Sequence, residues 1–478
     1  MDKNTKIEDQ EEVQFGTILK KGWPCYVSYG IRAFTASALF INLLIISQII
    51  WPGDPFHSYE VGILIGLGTY MMAFSGFLFG NLADRYSRIV LFSVATGAYG
   101  FGLLLNGFAP EGLGLTTYVF FIVCQLIRGF FSGALWPTIN SYANDATRDI
   151  ERSRFFGGLT AVWQIFQTIG MLIVAFSFEF GLWRFYFIIT GIVTILIAFL
   201  VLKGKEYKRA ATHEELKDAL ADEDVEYDYV LNKDTIKSTI IAPTNLIAFA
   251  EGIFTTIVLS IPDFLLIAYL QSPPLNYSQV SISILMIISG IPAALFGAVV
   301  LGKLSDRLAN LNVKYRIYMI IFAIILTYLM FITVFFLPLP HLSIEDGNGV
   351  FKIFTFPIFW IVGLIAFAAR SVLGLYSINQ SPILQKINLP EAQGVISSAN
   401  QFLELIGSGT GPIVAGGLLM LFGGNYQITV LITMTIGIIG ALLWFFAVFF
   451  LEKDINRVSS ILEERGAELL AKKKVVNV

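Results

Sequence analysis

The sequence predicts an all-α polytopic membrane protein whose twelve transmembrane helices form two pseudo-symmetric bundles of six. Three observations support this fold class. The chain of 478 residues is 55% hydrophobic and only 14% charged, whereas soluble domains carry about 25% charged residues. The charges cluster between apolar runs of about 20 residues, the length that a helix needs to cross a bilayer. A polar hairpin also recurs in each half, which indicates an internal duplication.

The apolar segments are interpreted as helices because only helices and closed barrels satisfy the backbone in lipid. A barrel strand would alternate over about ten residues, whereas runs such as 430–451 are longer and continuous. The first six segments cover residues 24–51, 60–80, 89–109, 117–143, 155–176 and 182–202. The second six cover residues 244–270, 279–301, 317–338, 357–378, 394–421 and 427–450.

Polar stretches divide the chain further. We expect an N-terminal leader (1–23), a first bundle (24–202), a linker (203–243), a second bundle (244–451) and a tail (452–478). Lys and Arg are concentrated in the leader, the linker, the tail and the loops that share their side of the membrane. The positive-inside rule then predicts a multi-pass plasma-membrane protein with both termini in the cytoplasm. The tail reads either as an amphipathic helix on the inner leaflet or as a solvated helix.

Several function classes find no support in the sequence. Cys25 and Cys124 lie in or beside apolar segments, and the three histidines lie in three different loops, so no metal site is predicted. The sequence has no nucleophile–base constellation and no Gly-x4-Gly-Lys-Ser/Thr phosphate loop. It also has no basic patch interleaved with aromatic residues. We therefore expect a monomer among membrane lipids, with no enzyme activity, no cofactor, no ATP-driven pumping and no nucleic-acid partner.

Six ionisable residues fall inside the apolar segments. At the bilayer centre such a residue costs at least about 2.5–3.5 kcal/mol, so each is a functional candidate by default. Four of the five segments that carry them are the first, fourth, seventh and tenth, which indicates a repeat of three helices. The six are Arg32 (segment one), Arg128 (four), Glu251 and Asp263 (seven), Arg370 (ten) and Glu404 (eleven).

The chemistry of these six groups suggests an anionic substrate. An arginine offers a planar fork that matches a carboxylate or a phosphate. Burial disfavours the charged form of a carboxylate, so Glu251 and Glu404 are candidates to exchange protons. Asp263 follows Pro262 near one end of its segment and is a weaker candidate or a gate. Because three positive charges face three negative ones, the alternative is internal Arg–Glu pairing that only holds helices together.

Specific motifs resemble a known family. Residues 80–88, Gly-Asn-Leu-Ala-Asp-Arg-Tyr-Ser-Arg, resemble the signature loop between helices two and three of the major facilitator superfamily. Arg128 with Gly129 and Gly133 is similar to its helix-four motif, and residues 407–417 are similar to its glycine–proline motif. The resemblance covers about residues 20–450. It implies the major facilitator fold, with helices one, four, seven and ten around a central cavity, and secondary transport by alternating access.

The same resemblance gives the hairpins a role. A shortened copy of the loop, Gly-Lys-Leu-Ser-Asp-Arg, occupies residues 302–307. In the family this loop is thought to lock one conformation, and its glycines would let helix ends approach closely. The alternative is a loop whose basic residues only set orientation, but the aspartate recurs in both halves, which favours the lock. The lock candidates are Gly80, Asp84, Arg85, Arg88, Gly302, Asp306 and Arg307.

A weaker similarity concerns the subgroup. Residues 29–36 are similar to the start of the first helix in Spinster-like lipid transporters. Ile31 and Ala134 stand where that group has an aspartate and a glutamate, so its proton mechanism does not carry over.

The sequence thus predicts a secondary active transporter for a small anionic or zwitterionic solute or a lysolipid, with protons as a candidate coupling ion. The alternative is a sensor or receptor that keeps the fold and transports nothing. The substrate-binding candidates are Arg32, Arg128, Glu251 and Arg370, and the proton-coupling candidates are Glu251, Glu404 and Asp263.

Overall fold

The computed structural model describes residues 15–83, 85–147, 149–207, 241–347 and 349–476, and most of them are helical. The helices of the first half are α1 (Phe15–Ala36), α2 (Leu43–Ile50), α3 (Ser58–Ala83), α4 (Arg88–Gly107), α5 (Leu115–Ser132), α6 (Leu135–Ala146), α7 (Asp149–Glu179) and α8 (Trp183–Val201). Those of the second half are α9 (Pro243–Gln271), α10 (Gln279–Phe296), α11 (Gly302–Leu311), α12 (Lys314–Phe336), α13 (Pro357–Lys386), α14 (Pro390–Leu421), α15 (Tyr426–Ala441) and α16 (Trp444–Val476). A π-helical turn, Gly297–Leu301, joins α10 to α11.

The first predicted segment, 24–51, is not one helix but two. Eleven described helices are long and apolar enough to cross a membrane, and α1 with α2 supplies the remaining crossing. Residues 37–42 between them contain neither proline nor glycine. The Asn42 side chain donates to the Ala38 carbonyl at 2.6 Å, and the Gln279 amide donates to the Ile41 carbonyl at 3.2 Å. The break therefore depends on side chains that satisfy its backbone rather than on local propensity.

Helix packing repeats between the halves. In the first half α1 lies along α7, and α4 lies along α8. The corresponding pairs of the second half are α9 with α14 and α12 with α15. This matched packing is the pseudo-symmetry that the duplicated hairpin indicates in the sequence.

Helix α16 continues well past the last crossing. The buried Asp454 carboxylate accepts from the backbone N–H of Thr244, at the start of α9, at 3.1 Å. Val458, one turn later, is also buried. The first turns of the expected tail therefore pack against the second half, and contact of its remainder with the inner leaflet stays a prediction. Most of the expected linker, residues 208–240, lies outside the described residues.

The bundle has two ends. We call the end with residues 85–87 and 203–207 the linker face, and the end with residues 51–57, 180–182 and 422–425 the opposite face. Between the halves, α3 packs closely against α14. A Cβ atom added to Gly62 would lie 2.3 Å from the Pro412 carbonyl oxygen, so only glycine permits this approach. Nearer the centre, the hydroxyl groups of Tyr70 and Thr410 are 2.7 Å apart and hydrogen-bonded.

A second contact joins the halves at the opposite face. The Glu179 carboxylate, at the end of α7, accepts from the Ser278 hydroxyl at 2.8 Å and from the Val280 backbone N–H at 3.0 Å. It therefore caps the first turn of α10, where the helix dipole favours a negative charge. Beside it, the Gln279 amide donates to the Asn42 side-chain oxygen. The opposite face is thus closed by α3–α14 packing and by this α7–α10 clamp.

We expect Gly62→Ala to weaken closure of the opposite face. Its methyl group would overlap backbone atoms of α14, and overpacking of this kind costs about 1–3 kcal/mol. Spin labels at Asp54 and Leu421, both exposed, should report a longer or broader distance than in the parent, together with a lower unfolding temperature. The matched control is Gly417→Ala, whose Cβ would meet its nearest atom, on Tyr59, at 3.5 Å. Equal behaviour of the two variants would contradict the role assigned to close packing.

Candidate functional site

Two arginines of the first half converge on one tyrosine. Arg32 of α1 and Arg128 of α5 donate to the Tyr99 hydroxyl of α4 at 3.2 and 3.1 Å. Both guanidinium groups also lie over the Tyr99 ring, 4.6 and 5.3 Å from its centroid. Arg32 Nε donates to Ser132 at 2.9 Å, and Arg128 Nη1 donates to Gln125 at 3.2 Å. We call this group the arginine cluster.

The Tyr99 hydroxyl has no hydrogen-bonding capacity left. It accepts from both arginines, which occupies its two lone pairs. The Thr35 hydroxyl lies 2.9 Å away and itself lies 3.0 Å from the Ile31 carbonyl, to which it donates. The phenolic hydrogen is therefore directed at Thr35. This chain holds Tyr99 in place as the shared acceptor.

The positive charge of the arginine cluster has no carboxylate partner. In the part of the chain that the structure describes, no Asp or Glu oxygen lies within 4 Å of Arg32 or Arg128, and buried Arg128 Nε has no hydrogen-bond partner. The cluster borders a cavity of about 130 Å³, which Gln125 and Thr69 also line. A water molecule takes up about 30 Å³ in the liquid, so the cavity has room for a carboxylate or phosphate group.

Two carboxylates come together in the second half. Glu251 of α9 is fully buried and accepts from the Thr255 hydroxyl, but its second oxygen has no partner among the described residues. Glu404 of α14 accepts from Gln380 at 3.1 Å and from Asn400 at 2.8 Å. The two carboxylates are close enough to repel each other electrostatically. We call this group the carboxylate cluster.

Arg370 and Asp263 form a third, looser group. Arg370 of α13 reaches across to α10, with Nη1 2.7 Å from where a Cβ atom on Gly290 would lie. Asp263 interacts with Arg370 electrostatically, but the two do not come within the 4 Å of an ion pair. Both side chains are exposed.

The structure therefore separates the six intramembrane charges by half. Arg32 lies beside Arg128, whereas Glu251 lies beside Glu404 in the other half and joins neither arginine. Among the described residues, the Arg–Glu pairs of the alternative hypothesis do not form. Sequence reasoning missed Tyr99 because the third segment contains no charge. A buried tyrosine hydroxyl needs a hydrogen-bond partner. The presence of a tyrosine in an otherwise apolar segment was therefore the one sequence feature that could have indicated this contact.

The hairpin of the first half is tied to the linker. Arg88, the first residue of α4, donates to the Glu206 carboxylate at 3.0 Å and to the Ser141 hydroxyl of α6 at 3.2 Å. Glu206 also accepts from the Ser87 hydroxyl at 2.6 Å and from the Ile89 N–H at 3.0 Å. Partial burial acts to raise the pKa of Glu206, but the hydrogen bonds from Ser87, Ile89 and Arg88 outweigh it and hold that pKa below its usual range. Glu206 thus caps α4.

The hairpin of the second half has a matching arrangement. Arg316, in the first turn of α12, donates to Asp306 at 3.1 Å and to the Asn379 side chain of α13 at 3.2 Å. Arg88 and Arg316 therefore each join the third crossing of their half to the fourth. Glu206 and Asn379 were missed as partners because each lies more than 60 residues from its arginine, and nothing in the local sequence indicates so distant a contact.

The remaining lock candidates make few contacts. Arg85 and Arg307 have exposed side chains, and Asp84 lies outside the described residues. The expected close approach at the hairpin glycines is wrong for this conformation. Among the described residues, no atom from another part of the chain lies within 4 Å of a Cβ added to Gly80, and the nearest to one on Gly302 is 3.8 Å away. Backbones approach closely instead between α3 and α14.

We expect Glu206→Gln to destabilise the first half by about 1–2 kcal/mol, because it removes the charge that caps α4. The folded-state pKa lies below the unfolded value of about 4.3. The stabilisation is therefore complete above that pH and is lost as the pH falls through the lower folded value. Thermal unfolding of wild type and Glu206→Gln, measured from pH 7 to strong acid, gives the difference in stability at each pH.

The matched control for this measurement is Glu111→Gln, which breaks an exposed ion pair with Arg184 at 3.3 Å and should change stability by less than about 1 kcal/mol. A wild-type advantage over Glu206→Gln that grows on acidification would contradict the capping role.

Comparison with known proteins agrees with this geometry. The sequence profile of the Major Facilitator Superfamily matches residues 25–407. A bacterial homologue of the human lysosomal transporter Spinster, in an inward-facing and unoccupied conformation, has a similar fold, with a TM-score of 0.63, 15% identity and coverage of 93% of this chain and 98% of that one. The nucleoside transporter NupG is equally similar, with a TM-score of 0.64, 18% identity and coverage of 91% and 99%. At these identities the likeness concerns the fold.

One local sequence match extends to an animal protein. Synaptic vesicle glycoprotein 2C of Mus musculus is 30% identical over 105 residues, which are 22% of this chain and 13% of that protein. The profile match covers far more than half of the chain and confirms both the predicted family and the expectation of a non-enzymatic, multi-pass transporter. The chain belongs to the major facilitator superfamily.

Proposed function

We propose that this transporter moves a small anionic solute, which binds at the arginine cluster. One observation carries the proposal: two intramembrane guanidinium groups, of which Arg128 is buried, share a tyrosine hydroxyl and have no carboxylate within 4 Å among the described residues. A charge in the membrane interior is costly unless it is paired. An anion that enters the cavity supplies the missing partner, and a carboxylate or phosphate matches the guanidinium fork.

The proposed substrate class includes zwitterions and lysolipids that carry such a group. The structural relatives are described as a Spinster homologue and a nucleoside transporter, so their cargoes differ and do not select one. The anionic group is argued from Arg32, Arg128 and Tyr99 alone. Arg370 and Glu251, which belong to the second half, remain candidates to bind the rest of the substrate.

We further propose that transport proceeds by alternating access, from a conformation closed at the opposite face. The α3–α14 packing and the α7–α10 clamp both lie toward that face, which supports this conformation. The described Lys and Arg residues near the linker face support its assignment to the cytoplasm. In a plasma membrane, the arginine cluster would then bind or release its anion on the inner side.

Proton coupling is assigned to the carboxylate cluster. Two carboxylates that share a buried site do not ionise together readily, and among the described residues only amides and hydroxyl groups bond to them. Glu404 is partly exposed, whereas Glu251 is fully buried. A proton taken up by Glu404 would neutralise one charge and change the repulsion felt by Glu251. Asp263, which interacts with Arg370 only at longer range, is the third candidate.

The anion site is tested by thermal shift with sugar phosphates, carboxylates, lysophospholipids and neutral sugars. At 100 times its dissociation constant a ligand stabilises the folded protein by about 2.7 kcal/mol. Arg32→Gln or Arg128→Gln should lower the affinity for an anion by about 10- to 100-fold, since hydrogen bonds to charged groups contribute about 1.5–3 kcal/mol. At the same ligand concentration, a 100-fold loss of affinity reduces the stabilisation of the folded protein to about 0.4 kcal/mol.

The control for the anion test is Arg184→Gln, which changes an arginine outside the cluster and should preserve the shift. Stabilisation of wild type and both cluster variants by neutral sugars alone would overturn the anion site. Binding without counterflow of the same compound in proteoliposomes would favour the sensor alternative.

Proton coupling is tested with the anion that gives the largest thermal shift. In proteoliposomes, Glu404→Gln and Glu251→Gln should each reduce uptake driven by a pH gradient at least tenfold. Exchange of labelled for unlabelled anion at equal pH should persist, because the arginine cluster is intact. Glu111→Gln, on the surface, is the control. Uptake that still follows the pH gradient in both variants would contradict the assignment.

A further inference from the structure

An apolar groove opens on the outside of the first half. It has a volume of about 650 Å³ and lies between α7 and α8, with α1 as its floor. Helix α7 packs along α1 but touches α8 at only a few residues, so the two outer helices stand apart. The side chains that line the groove include Phe34, Val162, Ile173, Ile189, Val193 and Ile197.

The groove is continuous with the lipid-facing surface of the protein. Phe185 and Ile189 on its rim are 63% and 58% exposed, although they lie in a membrane-spanning helix. Most of the polar groups along it are satisfied within the protein, but the buried Tyr186 hydroxyl has no hydrogen-bond partner among the described residues. Ser177 donates to the Ile173 carbonyl at 2.7 Å, and Thr190 donates to that of Tyr186 at 2.6 Å. Apart from the Tyr186 hydroxyl, the walls thus offer an occupant apolar contact.

The groove is long enough to cross one leaflet. From Leu182 to Ile197 it follows α8 for about 22 Å at 1.5 Å per residue. Half of a hydrocarbon core of about 30 Å is about 15 Å. A chain that enters from the leaflet at the opposite face would therefore reach the bilayer midplane along the groove.

We propose that the groove holds one acyl chain of a bilayer phospholipid from the leaflet at the opposite face. This lipid would be a resident of the fold and not the transported solute, so the inference stands apart from the anion site. Its contacts fill the space between α7 and α8, where the protein's own packing is sparse. Because α7 ends in Glu179, which clamps α10, the acyl chain would also support closure of the opposite face.

The experiment uses the full chain in nanodiscs of phosphatidylcholine that contain a small fraction with a diazirine on one acyl chain. After illumination, peptide mass spectrometry locates the labelled residues. The label on wild type should concentrate on residues 162–177 and 182–197, at least fivefold above Phe199 and Leu200, which are exposed on α8 outside the groove. An even distribution along α8 would overturn the proposal.

Two variants of α8 sharpen the test. Val193→Trp places a large ring in the groove and should reduce labelling of residues 162–177 at least fivefold. Leu196→Trp is the matched control, since Leu196 is exposed on the same helix but does not line the groove, and it should stay within twofold of wild type. Equal labelling in the two variants would contradict the assignment, as long as both elute as single species and unfold cooperatively.

Competition separates a resident lipid from a transported one. An excess of lysophosphatidylcholine or sugar phosphate should leave labelling of the groove unchanged, as should Arg32→Gln. If lysophosphatidylcholine displaced the label and Arg32→Gln abolished it, the groove would be an entrance for substrate, and the proposal of a resident phospholipid would be overturned. If no anion bound at the arginine cluster, the acyl-chain labelling of the groove should still follow the pattern given above, so the two proposals fail separately.

Discussion

Two intramembrane guanidinium groups that share one phenol hydroxyl are the electrostatic constraint on which the candidate site depends. A carboxylate between Arg32 and Arg128 would neutralise part of their charge and would compete with any anion. The Tyr99 hydroxyl accepts from both and removes no charge. The excess negative charge lies in the other half, with Glu251 and Glu404. The arginine cluster and the carboxylate cluster therefore each gather groups of one sign without an ionic partner among the described residues, and a bound anion or proton changes that balance.

The bonds within each half differ in kind from those between the halves. Arg88 binds Glu206 and Ser141, and Arg316 binds Asp306 and Asn379, so charged groups with several partners hold the linker face of each half together. Between the halves, the contacts are glycine packing, neutral hydroxyls such as the Tyr70–Thr410 pair, and one carboxylate cap. Charged networks within each half and mostly neutral contacts between the halves are compatible with the proposed rocking of one bundle against the other.

The sequence predicts the family, the crossings and the six intramembrane charges because each depends on local properties: hydropathy over about 20 residues, a short motif, or a charge in an apolar run. It does not predict which charges meet. Glu206 lies 118 residues from Arg88, and Tyr99 belongs to a segment with no charge. The break after α1 has no proline or glycine and depends on Gln279 from the other half. Each of these partners is brought together only by tertiary packing.

The wall between the lipid groove and the arginine cluster is one side chain thick. Ile31 lines the groove on one side and, on the other, borders the small space that Arg32 and Tyr99 share. Tyr186 lines the groove and is near enough to Tyr99 and Arg128 to interact with them electrostatically. Packed side chains transmit displacement because interiors have few voids. An acyl chain that fills the groove would therefore press on the same residues that position Tyr99, and the state of the bilayer would reach the anion site through contact alone.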